Sequence, residues 1–196
     1  MEKLDLGLDI FASRAIYKDF VTGKIINSHE IIEGDMQPSP KFRELVDNLD
    51  KYRYLYSLNG FEIQNINNVA FFVTRDDRLE EYNDVAANIQ VLLLMISRGV
   101  YSLGVAPGIL MDESAGLSIK QINEIGELKE QSQIIKACGL RQPLIESVNG
   151  KLLNRGICFC TKEDRYILSA AGRYLFDELA GAPGDATLES LVNMSE

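Results

Sequence analysis

The stretch that decides the fold is LLNRGICFCTKEDRYILSAAGRYLFDEL, residues 152–179. It reads as a helix end, a glycine stop, a short strand, a charged turn, a second strand and a closing helix. Alternation of Ile157 and Phe159 with Cys158 and Cys160 is typical of a half-buried strand. A two-stranded hairpin alone is only marginally stable in water. Helices must therefore cover it, and helix, helix and hairpin wing together outline a winged-helix domain.

The same unit occurs once before in the chain. Ser39 and Pro40 predict a helix start, and apolar residues at three- and four-residue spacing through 42–56 predict one long helix. Gly60 ends it, and residues 61–73 alternate as a second hairpin. The predicted fold is therefore mainly α with small β-hairpin wings (α+β), arranged as tandem winged-helix domains.

A charged run marks the boundary between the two units. Residues 75–81 carry DDRLEE with no apolar pattern, which favours a linker. We expect an N-terminal winged-helix domain over 1–78 and a C-terminal one over 79–180. The last residues, 181–196, lose the pattern and predict a loosely ordered tail.

Local signals predict the remaining elements of the first unit. Asp9 is placed to cap a first helix that runs to about Thr22. Residues 29–32 are expected to form a helical turn. Residues 33–39 contain Gly34 and Pro38 and are expected to be irregular.

Glycine and capping signals organise the second unit. Ser118 and Gln121 have the spacing of a capping box. Gly156 is expected to stop the helix before the wing. Gly172, near the start of the last helix, would permit a close approach to a neighbour.

Composition and charge restrict the function. The 196 residues carry a net charge of −9 with a pI of about 4.7. Stand-alone DNA-binding domains usually present a basic face, so an acidic winged-helix protein is more typical of a protein-interaction subunit. Three cysteines form no disulfide framework and suit a reducing cytoplasm. No signal peptide is recognised, and the most apolar run, 91–96, is too short to span a membrane.

The residues form no recognisable catalytic, cofactor or metal site. Phosphate-binding glycine loops and nucleophile elbows are absent. His29 is the only histidine, which removes most histidine-based triads. A metal site at Cys138, Cys158 and Cys160 is disfavoured, because cysteine is commonly buried as a small hydrophobe. We therefore expect binding rather than catalysis, with no catalytic, cofactor or metal residue.

Two surfaces are candidates for binding. In a winged helix that reads DNA, the helix before the wing enters the major groove and the wing touches the backbone. The basic residues of this helix and wing fit either DNA contact or an ordinary solvated helix face. These candidate DNA contacts are Arg141, Lys151, Arg155, Lys162 and Arg165.

The second candidate surface is the broad apolar face of the helix predicted over 82–101. A face this broad suggests burial on more than one side. It has three candidate roles: the core of the second domain, the seam between the domains, or a dimer interface. The residues predicted for a dimer or domain interface are Ile89, Leu92, Leu93 and Ile96.

The order of these segments resembles a known family. The segments are IYKDFVTGKIINSHE, ELVDNLDKYRYLYSLNGFEIQNINNVAFFV, ANIQVLLLMIS and LLNRGICFCTKEDRYILSAAGRYLF. Together, over about residues 16–179, they resemble the MukE/MksE family, the tandem winged-helix subunits of bacterial MukBEF- and MksBEF-type condensins. The chain departs from the family pattern in its short, compact C-terminal end.

The resemblance implies a non-enzymatic homodimer in a cytoplasmic, nucleoid-associated complex. It implies binding to a kleisin (MukF/MksF-like) and help in placing the heads of an SMC ATPase (MukB/MksB-like) and DNA. DNA would be bound weakly or only within the complex, without a cofactor and without a membrane.

Other functions stay open at this point. A related SMC-like anti-plasmid defence system has a similar small subunit. A winged-helix transcription regulator is disfavoured by the negative charge, and an enzyme of unknown type has no positive support.

Overall fold

The structure, a computed structural model, describes residues 7–75 and 79–181; for residues 79–83, 180 and 181 it describes the main chain only. The N-terminal half combines three helices with two small sheets. Its elements are α1 (Ile10–Val21), β1 (Ile26–Asn27), β2 (His29–Ile32), β3 (Asp35–Pro38), α2 (Pro40–Asp47), α3 (Leu49–Ser57), β4 (Glu62–Ile66) and β5 (Ala70–Thr74).

The C-terminal half has the same plan with a long first helix. A 3₁₀ turn (Pro107–Leu110) follows that helix, and a π-helical segment (Asn149–Leu153) continues α7. The elements are α4 (Leu79–Ser102), β6 (Leu117–Ser118), α5 (Ile119–Glu127), α6 (Lys129–Ala137), α7 (Leu144–Val148), β7 (Cys158–Cys160), β8 (Arg165–Leu168) and α8 (Ala170–Gly181).

The two three-stranded sheets have the same topology. In the first, β1 pairs with β5 and β5 with β4, all antiparallel. In the second, β6 pairs with β8 and β8 with β7, also antiparallel. Each half therefore runs helix, short strand, helices, hairpin, and its first strand joins the last strand of its wing. A mainly α fold with small β wings is confirmed, and the repeated strand order supports the winged-helix assignment of each half, which stays a prediction.

Several predicted boundaries are confirmed. The Asp9 side chain accepts a hydrogen bond from the main-chain N–H of Ala12 at 2.8 Å, which caps α1. Ser39 caps α2, and Ser118 and Gln121 form the predicted capping box of α5. Gly156 has a φ of +74°, a conformation that favours glycine, where the helix before the wing ends.

The prediction for residues 29–39 is wrong. Residues 29–32 and 35–38 are the strands β2 and β3, which form a separate antiparallel hairpin. Both turn residues, Glu33 and Gly34, have positive φ. A two-residue turn needs this conformation at both positions if it is to match the twist of the strands. Glycine supplies one of these conformations without strain, whereas glutamate at φ +54° is not a residue from which such a turn would be predicted.

The single long helix predicted after Ser39 is two helices. Asn48 has a φ of −127°, which is not helical, and it interrupts the helix. It is the last capping residue of α2 and the first capping residue of α3. Its side chain donates to a carboxylate oxygen of Glu44 at 3.2 Å. Asparagine competes for backbone hydrogen bonds and favours such breaks. The apolar spacing nevertheless holds on both sides, since Leu45 and Tyr52 are both fully buried.

The helix α4 forms much of the C-terminal core. Its residues 84–102 are long and apolar enough to cross a membrane by length and composition, which the prediction from the shorter run 91–96 did not anticipate. Leu92, Met95 and Val100 are buried within the C-terminal core, and the helix packs against α5 and α8. These contacts place the second half of the helix in the C-terminal core, while one third of the 84–102 span as a whole is buried.

Glycine permits the close approach that the sequence predicted at α8. A Cβ added at Gly172 would overlap the carbonyl of Ile157. The Ser169 hydroxyl, which also accepts from the Gly172 N–H at 3.0 Å, donates to the same carbonyl. The start of α8 is therefore held directly against Ile157, the residue immediately before β7.

We predict that Gly172→Ala lowers the free energy of unfolding by about 2 kcal/mol, because the added methyl group must displace the main chain of Ile157. Gly150→Ala is the matched control, since Gly150 lies in the π-helical segment with open space around its Cβ position. The control should be unchanged or more stable by up to about 1 kcal/mol. Urea unfolding of both variants makes the comparison, and equal effects would contradict the packing account.

Candidate interaction surfaces

A buried asparagine joins the two halves. Asn27, at the end of β1, is only 4% exposed. Its amide nitrogen donates to the main-chain oxygen of Gly156 at 2.8 Å, and its amide oxygen accepts from the main-chain N–H of Ala171 at 2.9 Å. One side chain of the N-terminal half thus bonds two parts of the C-terminal half. One is Gly156, just before the β7–β8 hairpin (the second wing), and the other is the first turn of α8.

Main-chain and charged contacts extend this contact region between the two halves, which we call the seam. The N–H of Ile25 donates to the carbonyl of Arg155 at 2.8 Å, and the Arg155 guanidinium reaches the carbonyl of Gly23 at 3.4 Å. At the turn of the second wing, Lys162 forms an ion pair with Asp35 at 3.2 Å. Lys162 and Asp35 are both largely exposed, so the pair orients the turn but contributes little stability.

Apolar packing completes the contact between the halves. Ile66 and Ala70 of the first wing pack with Ala171 of α8 in a hydrophobic cluster of their own. Val69 and Tyr174 pack against the same cluster. Because this cluster draws on both halves, separating them would expose apolar surface as well as the Asn27 amide.

The structure places the predicted DNA contacts in three different environments. Arg155 and Lys162 point to the N-terminal half through the contacts just described. Arg141 and Lys151 have no ion pair or side-chain hydrogen bond within the residues that the structure describes, and Arg141 is exposed. Arg165 is half-buried beside Gly116. The cations open to a ligand are therefore fewer than the sequence suggested.

The local fold positions Arg141 and Lys151. The Ser147 hydroxyl in α7 accepts from the Arg141 N–H at 2.7 Å and donates to the Arg141 carbonyl at 3.2 Å. Lys151 lies in the π-helical segment. The phenol of Tyr166, in the wing, donates to the side-chain oxygen of Asn149 at 2.9 Å, which ties the wing to that segment.

The predicted apolar interface residues lie in the C-terminal core. Leu92, Leu93 and Ile96 are at most 5% exposed, and Ile89 packs partly buried against the same core. Burial in this core is one of the three roles that the sequence left open, and a contact between the domains or with a second copy stays a prediction. The outer side of α4 instead exposes Leu94 and Tyr101.

Large apolar side chains are exposed on α1. Phe11 is 83% exposed, and Ile10, Tyr17 and Val21 are each at least 45% exposed. Ile10, Tyr17 and Val21 follow one another at seven- and four-residue spacing, which places them along one face of the helix. Exposed apolar faces of this kind are typical of interaction sites.

A cavity of about 350 Å³ lies at the seam. Residues of β1 and β2 line one side, and residues of the π-helical segment and β7 line the other. His29 and Cys160 face this cavity from opposite halves. Sequence reasoning missed this site, because no local pattern brings β2 next to β7.

A charge network fixes the hairpin that borders the cavity. Lys41 of α2 contacts Asp19 at 2.7 Å and Glu30 at 2.9 Å, and the Ser39 hydroxyl donates to Glu30 at 2.9 Å. Partial burial alone would lower the pKa of Lys41, but its hydrogen bonds and charge interactions with Asp19 and Glu30 outweigh burial and raise the pKa. The lysine therefore stays charged and holds α1, β2 and α2 together.

The cysteines take different positions. Cys158 is buried in the C-terminal core, where burial raises the pKa of its thiol. Cys160 is half-buried, and burial and the nearby Asp164 raise the pKa of its thiol. Cys138 is exposed at the end of α6. In the part of the chain that the structure describes, no three histidine, cysteine, aspartate or glutamate residues form a candidate metal cluster.

The sequence matches a known protein family over most of its length. A family model described as condensin complex protein MksE matches residues 12–180. The match spans both halves, from the first turn of α1 to the last turn of α8. A search of curated proteins returned no match.

We predict that Asn27→Ala loosens the seam, since it leaves the Gly156 carbonyl and the Ala171 N–H without their partner. The expected loss in the free energy of unfolding is about 2–4 kcal/mol. Asn59→Ala is the control, because Asn59 is exposed at the end of α3 and should change stability by less than about 0.5 kcal/mol. Amide exchange at Ala171 should accelerate in Asn27→Ala alone, and an unchanged rate there would refute the role of Asn27.

Proposed function

Because the chain belongs to the MksE family of condensin complex proteins, we propose that it is a non-enzymatic subunit that dimerises and binds a kleisin in a bacterial SMC complex. In this role it helps to organise the heads of the SMC ATPase and the DNA during chromosome condensation and segregation. ATP hydrolysis belongs to the partner. The observation that carries the proposal is the family match over both halves.

The described surface supports a role in assembly. The exposed apolar residues of α1 and the outer side of α4 are suited to protein contacts. A net charge of −9 opposes strong independent binding to DNA. Direct DNA contact is therefore proposed only within the complex, which would be cytoplasmic and associated with the nucleoid.

One alternative function uses the same surfaces. An SMC-like defence system against plasmids would need the same contacts to a kleisin and an ATPase, so the two differ in the target of the complex rather than in the subunit. The transcription regulator is disfavoured further, because Arg155 and Lys162 are engaged at the seam.

The first test concerns the partner. The purified chain should elute as a dimer and should form a stable complex with the kleisin encoded by the neighbouring gene. Size-exclusion chromatography with light scattering measures both masses. A monomer that does not bind the kleisin would contradict the proposed function.

The second test concerns DNA. Arg141→Glu with Lys151→Glu should weaken DNA binding by the assembled complex and lower its salt dependence by about two phosphate contacts. Dimerisation and kleisin binding should be unchanged.

Lys129→Glu with Lys136→Glu is the matched control for the DNA test. Both lysines are exposed on α6, outside the wing and the segment before it, and the change in net charge is identical. Fluorescence anisotropy with a labelled duplex at several salt concentrations measures the slopes. Equal losses in the two double variants would show a general charge effect and no local contact.

A further inference from the structure

Two asparagines of this chain are directly followed by glycine, and the structure places them in different environments. The pairs are Asn59–Gly60, just after α3, and Asn149–Gly150, in the π-helical segment. Asparagine is a thermolabile residue, because the main-chain nitrogen of the next residue can attack its side-chain amide. Glycine has no Cβ that shields this nitrogen. The firmness with which each pair is held therefore decides whether the attack occurs in the folded protein.

The Asn59–Gly60 pair lies at an open helix end. Both residues are exposed, and a Cβ added at Gly60 would meet nothing within 4 Å. Gly60 has a φ of +72°, the left-handed conformation in which helices commonly end. Solvent therefore reaches both reacting groups.

The hydrogen bonds that hold this pair come from the last turn of α3. The side-chain nitrogen of Asn59 donates to the carbonyl of Leu55 at 3.1 Å, and the Gly60 N–H donates to the carbonyl of Ser57 at 3.0 Å. Terminal turns of helices fray, and opening of this one turn releases both groups together. The side-chain carbon of Asn59 and the nitrogen of Gly60 are then free to approach each other.

The Asn149–Gly150 pair is held by a different element. The side-chain oxygen of Asn149 accepts a hydrogen bond from the phenol of Tyr166 at 2.9 Å. Tyr166 lies in β8, between β6 and β7, and is buried in the C-terminal core. Release of this amide requires the second wing to separate from the π-helical segment, which costs more free energy than the fraying of a helix end.

We propose that Asn59 is a site of spontaneous deamidation in the folded protein and that Asn149 is protected from it. The Gly60 nitrogen loses its proton and forms a bond to the side-chain carbonyl carbon of Asn59. The bond from that carbon to the amide nitrogen breaks, and ammonia leaves. Water then opens the resulting imide ring at either of its two carbonyl groups, which gives aspartate or isoaspartate at position 59.

This modification alters the junction between α3 and the first wing. Both products place a carboxylate at the C-terminal end of α3, where the helix dipole disfavours negative charge. Isoaspartate also inserts one further carbon into the main chain, within the turn that the Phe61 N–H closes on the Tyr56 carbonyl at 3.1 Å. Deamidation should therefore loosen the start of β4.

Peptide mapping by mass spectrometry tests the proposal on the unmodified full chain, aged in mildly alkaline buffer. Trypsin separates the two pairs into residues 54–75 and residues 142–151. In the folded chain, conversion of Asn59 should be at least about tenfold faster than conversion of Asn149. In urea that unfolds the chain, the two rates should become similar, because each asparagine precedes a glycine.

Three results would overturn the proposal. The first is an equal rate at the two asparagines in the folded chain. The second is an intact Asn59 in the folded chain under conditions in which urea exposes its conversion. The third is a mass gain in residues 54–75 that fragment ions assign to one of the asparagines in the first wing, since none of these precedes glycine.

Two variants test the structural cause. Asn59→Gln should abolish the mass gain in residues 54–75, because the longer side chain closes a ring much more slowly, and should leave residues 142–151 unchanged. Tyr166→Phe removes the phenol that holds Asn149 and should accelerate conversion of Asn149 in the folded chain by about threefold or more. A folded Tyr166→Phe variant in which Asn149 converts no faster would refute the proposed protection.

Discussion

The two hydrogen bonds of the Asn27 amide are the constraint on which the arrangement of the halves depends. A buried amide is costly unless both its donor and its acceptor are satisfied. Asn27 finds its partners in the C-terminal half, at Gly156 and Ala171. Gly156 must remain glycine, because a Cβ there would approach the Ile25 carbonyl to 2.7 Å at a φ of +74°. The wing, α8 and β1 are thus fixed relative to one another by residues far apart in the sequence.

This seam changes the meaning of the basic residues around the second wing. In an isolated winged helix, Arg155 and Lys162 would be free for phosphate contacts. Here the N-terminal half engages them through Gly23 and Asp35. The remaining open cations are few, so a chain with net charge −9 has little capacity to hold DNA alone. This electrostatic balance is consistent with a subunit of a condensin complex.

Much of the fold was predictable because its signals are local. Asp9, Ser39 and Ser118 cap helices from within one turn, and Gly156 ends a helix through its own positive φ. Neither the β2–β3 hairpin nor the break at Asn48 was predictable, because propensities of single residues are weak and neighbours decide them. The seam was not predictable at all. Asn27 and Gly156 are 129 positions apart, and no periodicity connects them, so the cavity between β2 and β7 was also missed.

We expect the contacts between the two halves to make them one cooperative unit. Differential scanning calorimetry of the full chain tests it most directly, since a two-state transition requires the calorimetric and van't Hoff enthalpies to agree. We expect one thermal transition, with equal calorimetric and van't Hoff enthalpies. Two separate transitions, or a calorimetric enthalpy well above the van't Hoff value, would show that the halves unfold independently and would contradict it.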